Sequence, residues 1–300
     1  MNAKSADHRF PIGVMMVLLS AVLFGLLTTL ARVAYDGGSN AITVALMRSG
    51  FAVAAGFMLC FFLKRDWRVQ RQGIPVLFWV AVGQTGMSVF YLGAVQYISV
   101  SLGAILFYTY PILVLIIEAI IRHEVPGRVR VMVFLAAFGG LVLALGPSLD
   151  TMDWRGIAFA VGASASATLL FFSTRHARHT VNETALLIWG SGLGIPIMFA
   201  VAPFMGGLAL PETNTGWVGL WSTCFFFAAA FLAYAIGLRH IAPSRAAMYF
   251  NLEPVVSVVA AGVLLSEMLM PTQGAGALLV LAALILSAWR ERHLRPRKTN

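Results

Sequence analysis

The first long apolar run of the chain reads IGVMMVLLSAVLFGLLTTLARVA from Ile12 to Ala34, and its only charge is Arg32. At about 1.5 Å of rise per residue, a helix of this length reaches across a hydrocarbon layer roughly 30 Å thick. The run lacks period-two alternation, and a lipid-exposed sheet would have to close into a barrel, so the reading is helix. It is longer than the apolar segment of a cleavable leader and passes straight into further spans, so it is expected to be retained. Comparable stretches recur at approximately 41–63, 74–97, 100–121, 129–146, 156–173, 184–203, 216–238, 246–265 and 272–289. Ten transmembrane helices are therefore expected, the fifth, sixth and tenth being short, in an all-α integral membrane fold.

Composition supports the same conclusion. The 300 residues are 59% hydrophobic and 11% charged, with a mean hydropathy of +0.84, more apolar surface than one water-soluble core could shelter. The net charge of +9 does not point to nucleic acid, because the basic residues sit in short clusters between uncharged runs, as membrane flanks do. Cys60 and Cys224 lie inside apolar stretches, with neither a paired framework nor metal-ligand spacing, and read as buried free thiols. No metal and no cofactor is called for.

The clusters also give orientation. With ten spans, the N-terminus, the Lys64–Arg71 loop, the Arg122–Arg130 loop, Arg175 with Arg178, Arg239 with Arg245, and the C-terminal tail fall on one side and hold 18 of the 21 Lys and Arg residues. The other side has Arg32 and Arg155, while Arg48 falls inside the second span. Both termini are thus expected in the cytoplasm. The basic tail, Arg290 to Lys298, reads as a topology anchor, with binding of anionic headgroups as the other role open to it.

A shift of 143 residues superposes the chain on itself without a gap. Gly13 meets Gly156, Arg32 meets Arg175, Tyr91 meets Tyr234, Ile98 meets Ile241, Ser101 meets Ser244, Ala104 meets Ala247, Pro111 meets Pro254 and Glu124 meets Glu267. Leu and Ala matches are cheap in such a composition, but Arg, Tyr, Pro and Glu in register indicate duplication. Two domains follow, residues 1–147 and residues 148–300 with the basic tail. Five spans is an odd number, so the second repeat enters the membrane inverted. Inverted repeats commonly enclose a midplane site exposed to either side in turn, which is a transporter's architecture.

The segment Asn251-Leu252-Glu253-Pro254-Val255, with Ser266-Glu267 after it and a glycine-containing tenth span, resembles the second EamA domain of the drug/metabolite transporter superfamily. The first half has counterparts in Leu46-Met47-Arg48, Tyr110-Pro111, Glu124 and Gly139-Gly140, and the thirteen-residue Pro-to-Glu spacing occurs in both halves. Within the superfamily the chain looks most like the bacterial YddG-type exporters of aromatic amino acids and methyl viologen. The resemblance implies a basket of ten helices around a central cavity, with spans three, four, eight and nine among those lining it, in a bacterial inner membrane. The charged Arg122-His123 ahead of Glu124 departs from the pattern, so Glu124 is not equated with Glu267.

Several residues are candidates for function. Pro111 and Pro254 lie mid-span, where each removes an N–H and deprives the carbonyl of Phe107 or Phe250 of its helical donor; breaks are expected there, facing a cavity, water or another helix. Tyr108 and Asn251, three residues before each proline, are equivalent positions near the midplane that inverted symmetry would bring toward one another. They read either as polar partners for a substrate, with Phe107, Phe250 and Met248 as apolar wall, or as an interhelical hydrogen bond. Gln84, Met87 and Tyr91 share one face of span three, and Phe227, Ala230 and Tyr234 the matching face of span eight; both faces are expected to border the cavity. Phe225 and Phe226 are weaker candidates, and Trp79 reads equally as an interfacial anchor.

Among the charges, Glu253 lies deepest and is the candidate for a protonatable coupling group, neutral through desolvation or paired with a cation such as Arg48. Arg48 has three readings: that pairing, substrate contact, or anchoring by snorkelling outward. Glu118 is expected to pair with Arg122 at i+4 as a structural feature. Ala158, Gly162 and Ser166 form a small-residue seam on span six.

Enzyme classes find no support: His-Glu-x-x-His, phosphate-binding Gly-x-x-x-x-Gly-Lys, paired intramembrane aspartates and a Ser/His dyad at membrane depth are all missing from the sequence. Without a P-loop the chain is no self-contained ATP-driven pump, and nothing resembles a channel filter or charged ring. A nucleotide-sugar or phosphate-ester exchanger would favour several cavity cations, whereas Arg48 stands alone inside a span. The expectation is a non-enzymatic secondary carrier, a monomer or weak homo-oligomer in a lipid bilayer. It would export small amphiphilic molecules with an apolar body by alternating access; the resemblance names aromatic amino acids among them.

Overall fold

The computed structural model describes residues 3–146, 153–265 and 270–293, with side chains described from residue 10 onward except at 288 and 290–293. Among these residues the fold is helical and contains no strand. The helices are α1 (Ala3–Asp36), α2 (Ala41–Leu63), α3 (Ile74–Ala94), α4 (Val100–Phe107), α5 (Tyr110–Arg122), α6 (Arg128–Leu145), α7 (Trp154–Ala177), α8 (Glu183–Gly192), α9 (Ile195–Val201), α10 (Asn214–His240), α11 (Pro243–Tyr249), α12 (Leu252–Leu264) and α13 (Pro271–His293). Taking α4 with α5, α8 with α9 and α11 with α12, nine stretches among the described residues are long and apolar enough to cross a membrane, and Pro271–Ser287 is a shorter apolar tenth. The chain is a multi-pass membrane protein. Spans six and ten are longer than the sequence reading made them, because their helices run on into polar residues at Arg175–Ala177 and Arg290–His293. Glu267 and most of the C-terminal tail lie outside the described residues.

Three spans are broken, one more than expected. The span-four break falls at Tyr108-Thr109 and the span-nine break at Phe250-Asn251, each just ahead of its proline. The Phe250 carbonyl, expected to lose its donor, instead accepts from the Glu253 N–H at 3.0 Å. A tightened turn thus satisfies the group that Pro254 would have orphaned. The span-seven break, between Gly192 and Ile195, precedes Pro196 in the first turn of α9. The Gly192-x-Gly194-x-Pro196 pattern carried that signal, and a β-carbon on Gly194 would sit 2.0 Å from Thr85 Oγ1.

The helices pack in a regular scheme. α1 lies along α10, α3 along α7, α6 along α13 and α2 along α8. Under the 143-residue shift, α1 with α10 maps onto α7 with α3, while α6 with α13 and α2 with α8 map onto themselves. Small residues set these contacts, as lipid-embedded helices require. A β-carbon on Gly276 would lie 2.4 Å from the Gly140 carbonyl oxygen and the Ala144 nitrogen, and one on Gly219 2.7 Å from the Ala34 nitrogen. In the expected span-six seam, Gly162 packs on Phe90 and Ser166 on Gly86 of α3, but Ala158 is exposed. The buried face runs through Gly156, Ala160, Ala163 and Ala167 instead.

The two ends of the molecule differ. At the basic end Glu183 pairs with Arg239 at 2.9 Å and Arg65 at 3.3 Å. Glu118 pairs with Arg122 at 2.9 Å, as expected, and its other oxygen accepts from the buried Ser244 N–H at 2.8 Å. Arg130 donates to the Ser244 hydroxyl. The Glu118–Ser244 bond thus holds α5 against α11, and Arg130 ties the start of α6 to the same residue. At the opposite end Ser39 and Asn40 bond the Ala209 and Gly207 carbonyls, but α4 and α12, the equivalents of α11 and α5, do not pack together in this way.

Two outcomes follow from this packing. Gly276→Leu should force α6 and α13 apart and cost about 1–3 kcal/mol, the range for overpacking, read as a lower midpoint of thermal unfolding in detergent. Glu118→Ala should cost about 1–3 kcal/mol because it strands the Ser244 N–H; Glu118→Gln, whose amide oxygen still accepts, should recover part of that loss in the same assay.

Candidate functional site

The gap between α4 and α12 is a cavity of about 330 Å³. Its mouth lies at the end poor in Lys and Arg, where the exposed Tyr35 and Val100 sit. Helices α1, α2, α3, α4, α10 and α12 supply the wall, through Phe24, Arg48, Met87, Tyr91, Phe107, Tyr108, Phe227 and Glu253 among others. A smaller chamber of about 70 Å³ continues inward and shares Phe24, Met87, Phe107 and Glu253 with the first; Gln84, Tyr110, Ala167, Leu170, Phe171, Phe231, Tyr234 and Phe250 complete its lining.

Arg48 does not snorkel. Its helix turns it inward, the guanidinium carbon stands 4.8 Å from the centroid of the Phe227 ring, and Nη2 donates to the Ser88 hydroxyl at 3.1 Å. A cation over an aromatic face recovers part of the solvation lost by burial. Its Nε remains buried with no hydrogen-bond partner. Glu253 stands in the first turn of α12, immediately after the break, where the exposed N–H groups and the helix dipole favour negative charge. Tyr108 lines the same cavity as this carboxyl. Arg48 and Glu253 share the cavity but are not among the ion pairs within 4.0 Å of the described residues.

Toward the basic end the cavity meets a continuous layer of rings. Tyr91, Tyr108 and Tyr110 each pack on Phe107, at 5.5, 5.1 and 5.3 Å between centroids. Tyr110 then contacts Phe171 at 5.4 Å, and Phe171 contacts Tyr234 at 5.1 Å and Phe250 at 5.5 Å. Phe24 links Phe250 to Phe227 at 6.0 and 6.1 Å. Most of these contacts are edge-on or tilted, the arrangement that ring quadrupoles favour. Two polar atoms facing this layer have no partner: Gln84 Oε1 and the Tyr234 hydroxyl.

The residues singled out from the sequence divide accordingly. Gln84, Met87, Tyr91, Phe107, Tyr108, Phe227, Tyr234, Phe250, Arg48 and Glu253 converge on the two chambers. Met248 and Asn251 do not line either. Met248 is buried behind the wall with its sulfur accepting from Ser287, and the Asn251 amide turns back onto the Met248 carbonyl at 2.9 Å, closing its own helix break rather than reaching Tyr108. Phe225 is 61% exposed and points away from the cavity. Phe24, Tyr110, Phe171 and Ser88 were missed. Tyr110 is the 143-residue equivalent of Glu253, which was a usable signal; Phe24 and Phe171 are single aromatics in runs whose helical phase the sequence leaves open. No group of three or more His, Cys, Asp or Glu side chains able to hold a metal occurs among the described residues.

Known proteins resemble the chain over nearly its whole length. Residues 11–146 and 154–289 each match the EamA-like transporter family. An uncharacterized transporter of Archaeoglobus fulgidus is 25% identical over 282 residues, covering 92% of this chain and 95% of its own. A second uncharacterized transporter of that organism is 28% identical over 227 residues, covering 73% and 79%. A solved crystal structure, 15% identical, superposes with a TM-score of 0.78 over 96% of this chain and 99% of that one, a likeness of fold. With a helical membrane-spanning fold and both segments matched, the chain belongs to the EamA-like transporter family, within the drug/metabolite transporter superfamily.

Proposed function

We propose that this transporter carries small zwitterionic amphiphiles, aromatic amino acids among them, out of a bacterial cell across the inner membrane by alternating access. The observation that carries the reading is the separation of Arg48 from Glu253. A cation and a carboxyl border one cavity without pairing, over a wall otherwise made of rings and Met87. Leaving both unpaired in an apolar surround is costly unless a ligand completes them. A substrate carboxylate meets the Arg48 guanidinium and the Ser88 hydroxyl, an ammonium group meets Glu253 beside Tyr108, and the apolar body lies against Phe107, Phe24 and Phe227. Polar groups so placed orient a ligand while the apolar wall supplies contact area. A single cavity arginine disfavours nucleotide sugars and phosphate esters, whose charges would need more cations.

The packing scheme supports ten spans in two inverted five-span repeats, residues 1–147 and 148–300. A twofold exchange of the halves accounts for the mapping of α1 with α10 onto α7 with α3, and for the helix starts at Val100 and Pro243 and at Arg128 and Pro271 falling 143 residues apart. The largest departure from the exchange is one pair of half-helices: α5 packs on α11 at the basic end, whereas α4 and α12 do not pack in this way. With the basic end in the cytoplasm, this state is open outward. The inward state follows by trading the two contacts, so that α4 closes on α12 while the Glu118–Ser244 bridge parts. A two-state element of this kind needs only a differential interaction with substrate to cycle.

Proteoliposomes preloaded with phenylalanine or threonine should take up the same labelled amino acid by counterflow, and absence of counterflow for both removes this substrate class. Arg48→Gln and Glu253→Gln should each reduce that counterflow by roughly tenfold or more, the scale of losing a charge-assisted contact, with thermal midpoints near that of the parent. A short bis-maleimide joining Glu118→Cys to Ser244→Cys in a background lacking Cys60 and Cys224 should abolish exchange; full activity of the linked protein contradicts alternating access at this pair.

A further inference from the structure

Outside the transport cavity, at the basic end, α3, α5 and α7 enclose an open groove of about 540 Å³ that the transport reading does not use. Its wall is hydrocarbon: Val76, Ile121, Leu169 and Phe172, with Trp79, half exposed, beside them. Its rim is formed by one turn of α7 and the residues just after it: the cations Arg175, whose Nη1 also donates to the Leu238 carbonyl, and Arg178, with His176 and His179 beside them. No carboxylate lines it. The nearby acids are engaged elsewhere, Glu118 by Arg122 and the Ser244 N–H and Glu183 by Arg65 and Arg239. Arg178 donates from Nε to His179 Nε2 at 2.6 Å, which requires that nitrogen unprotonated, and the Arg178 charge lowers the His179 pKa, so the charge of the rim resides on Arg175 and Arg178.

The rim is not a by-product of duplication. Under the 143-residue shift its four positions become Arg32, Val33, Tyr35 and Asp36, so the opposite end carries no basic quartet on the equivalent turn. We infer that this groove binds a diacyl phospholipid with a negatively charged headgroup from the leaflet at the basic end, the phosphate on the Arg175–His179 rim and an acyl chain along Val76, Leu169 and Phe172. The juxtaposition of an apolar lateral wall with a cationic rim at headgroup depth favours a lipid over a soluble anion, which would gain nothing from the wall. The inference is independent of the substrate assigned to the central cavity.

The test is retention of phosphatidylglycerol against phosphatidylcholine of matched chains by the full-length protein in detergent, read by native mass spectrometry. The parent should retain the anionic lipid preferentially. Arg178→Gln should weaken that preference about fivefold, the value of one interfacial charge near 1 kcal/mol, while Arg178→Lys should preserve it. Leu169→Trp, which fills the groove and leaves its charges, should lower retention of phosphatidylglycerol, and Arg68→Gln, in the loop between α2 and α3 and outside the groove lining, should change nothing. Equal retention of the two lipids by the parent, an unchanged preference in Arg178→Gln, undiminished retention of phosphatidylglycerol in Leu169→Trp, or displacement of the lipid by millimolar glycerol phosphate would each overturn the inference, the last by showing a site for soluble anions.

Discussion

In hydrocarbon a backbone N–H or C=O has no water to turn to, and every other feature of this protein is arranged around that constraint. Unbroken helices meet it internally, and they form the outer scaffold: α1 along α10, α3 along α7, α6 along α13. Breaks meet it only at a cost, so they are confined to places where something else supplies partners. At Phe250 the something else is the chain itself, through the Glu253 N–H. That same bond fixes the start of α12 and with it the position of a carboxyl at the wall of the central cavity. A proline chosen for its effect on one carbonyl thus decides where an acid stands.

Close packing does the complementary work. Lipid tails are as apolar as leucine, so helices gain little from mere burial and associate through contact area. Glycines at Gly140, Gly219 and Gly276 let backbones approach to distances that a single methyl would forbid. The scaffold so formed is stiff where helices are continuous. In the proposed cycle, movement falls to the half-helices at the breaks, α4 with α5 and α11 with α12, one end closing while the other parts.

Much of this was legible in the sequence because hydropathy and the repeat report on long segments. Nine spanning stretches with a shorter apolar tenth, the basic face and the breaks at Pro111 and Pro254 need only composition, periodicity and one covalent fact about proline. The convergence of Gln84, Met87 and Tyr91 on the cavity followed from helical spacing. What stayed hidden depended on rotation and on tertiary partners. Arg48 near a span end reads as readily outward as inward, and only the Phe227 ring and the Ser88 hydroxyl opposite it decide for inward. Asn251, equivalent to Tyr108, looked like its functional twin, but a short amide beside a helix break bonds the nearest carbonyl, whereas a long phenol reaches past it. The Gly192 to Pro196 break was overlooked because the apolar run is uninterrupted there, although its residues announced it.

The layer of touching rings between the cavity and the basic end has an electrical meaning. Charge crosses a membrane protein cheaply only along a file of water, since a bare ion in an apolar medium faces a solvation deficit of many kcal/mol. Phe107, Tyr110, Phe171, Tyr234 and Phe250 surround only the small inner chamber of about 70 Å³, space for about two waters rather than a continuous file. A vestibule can therefore stand open to one compartment without short-circuiting the potential between the two, so cargo can be exchanged while the membrane stays an insulator.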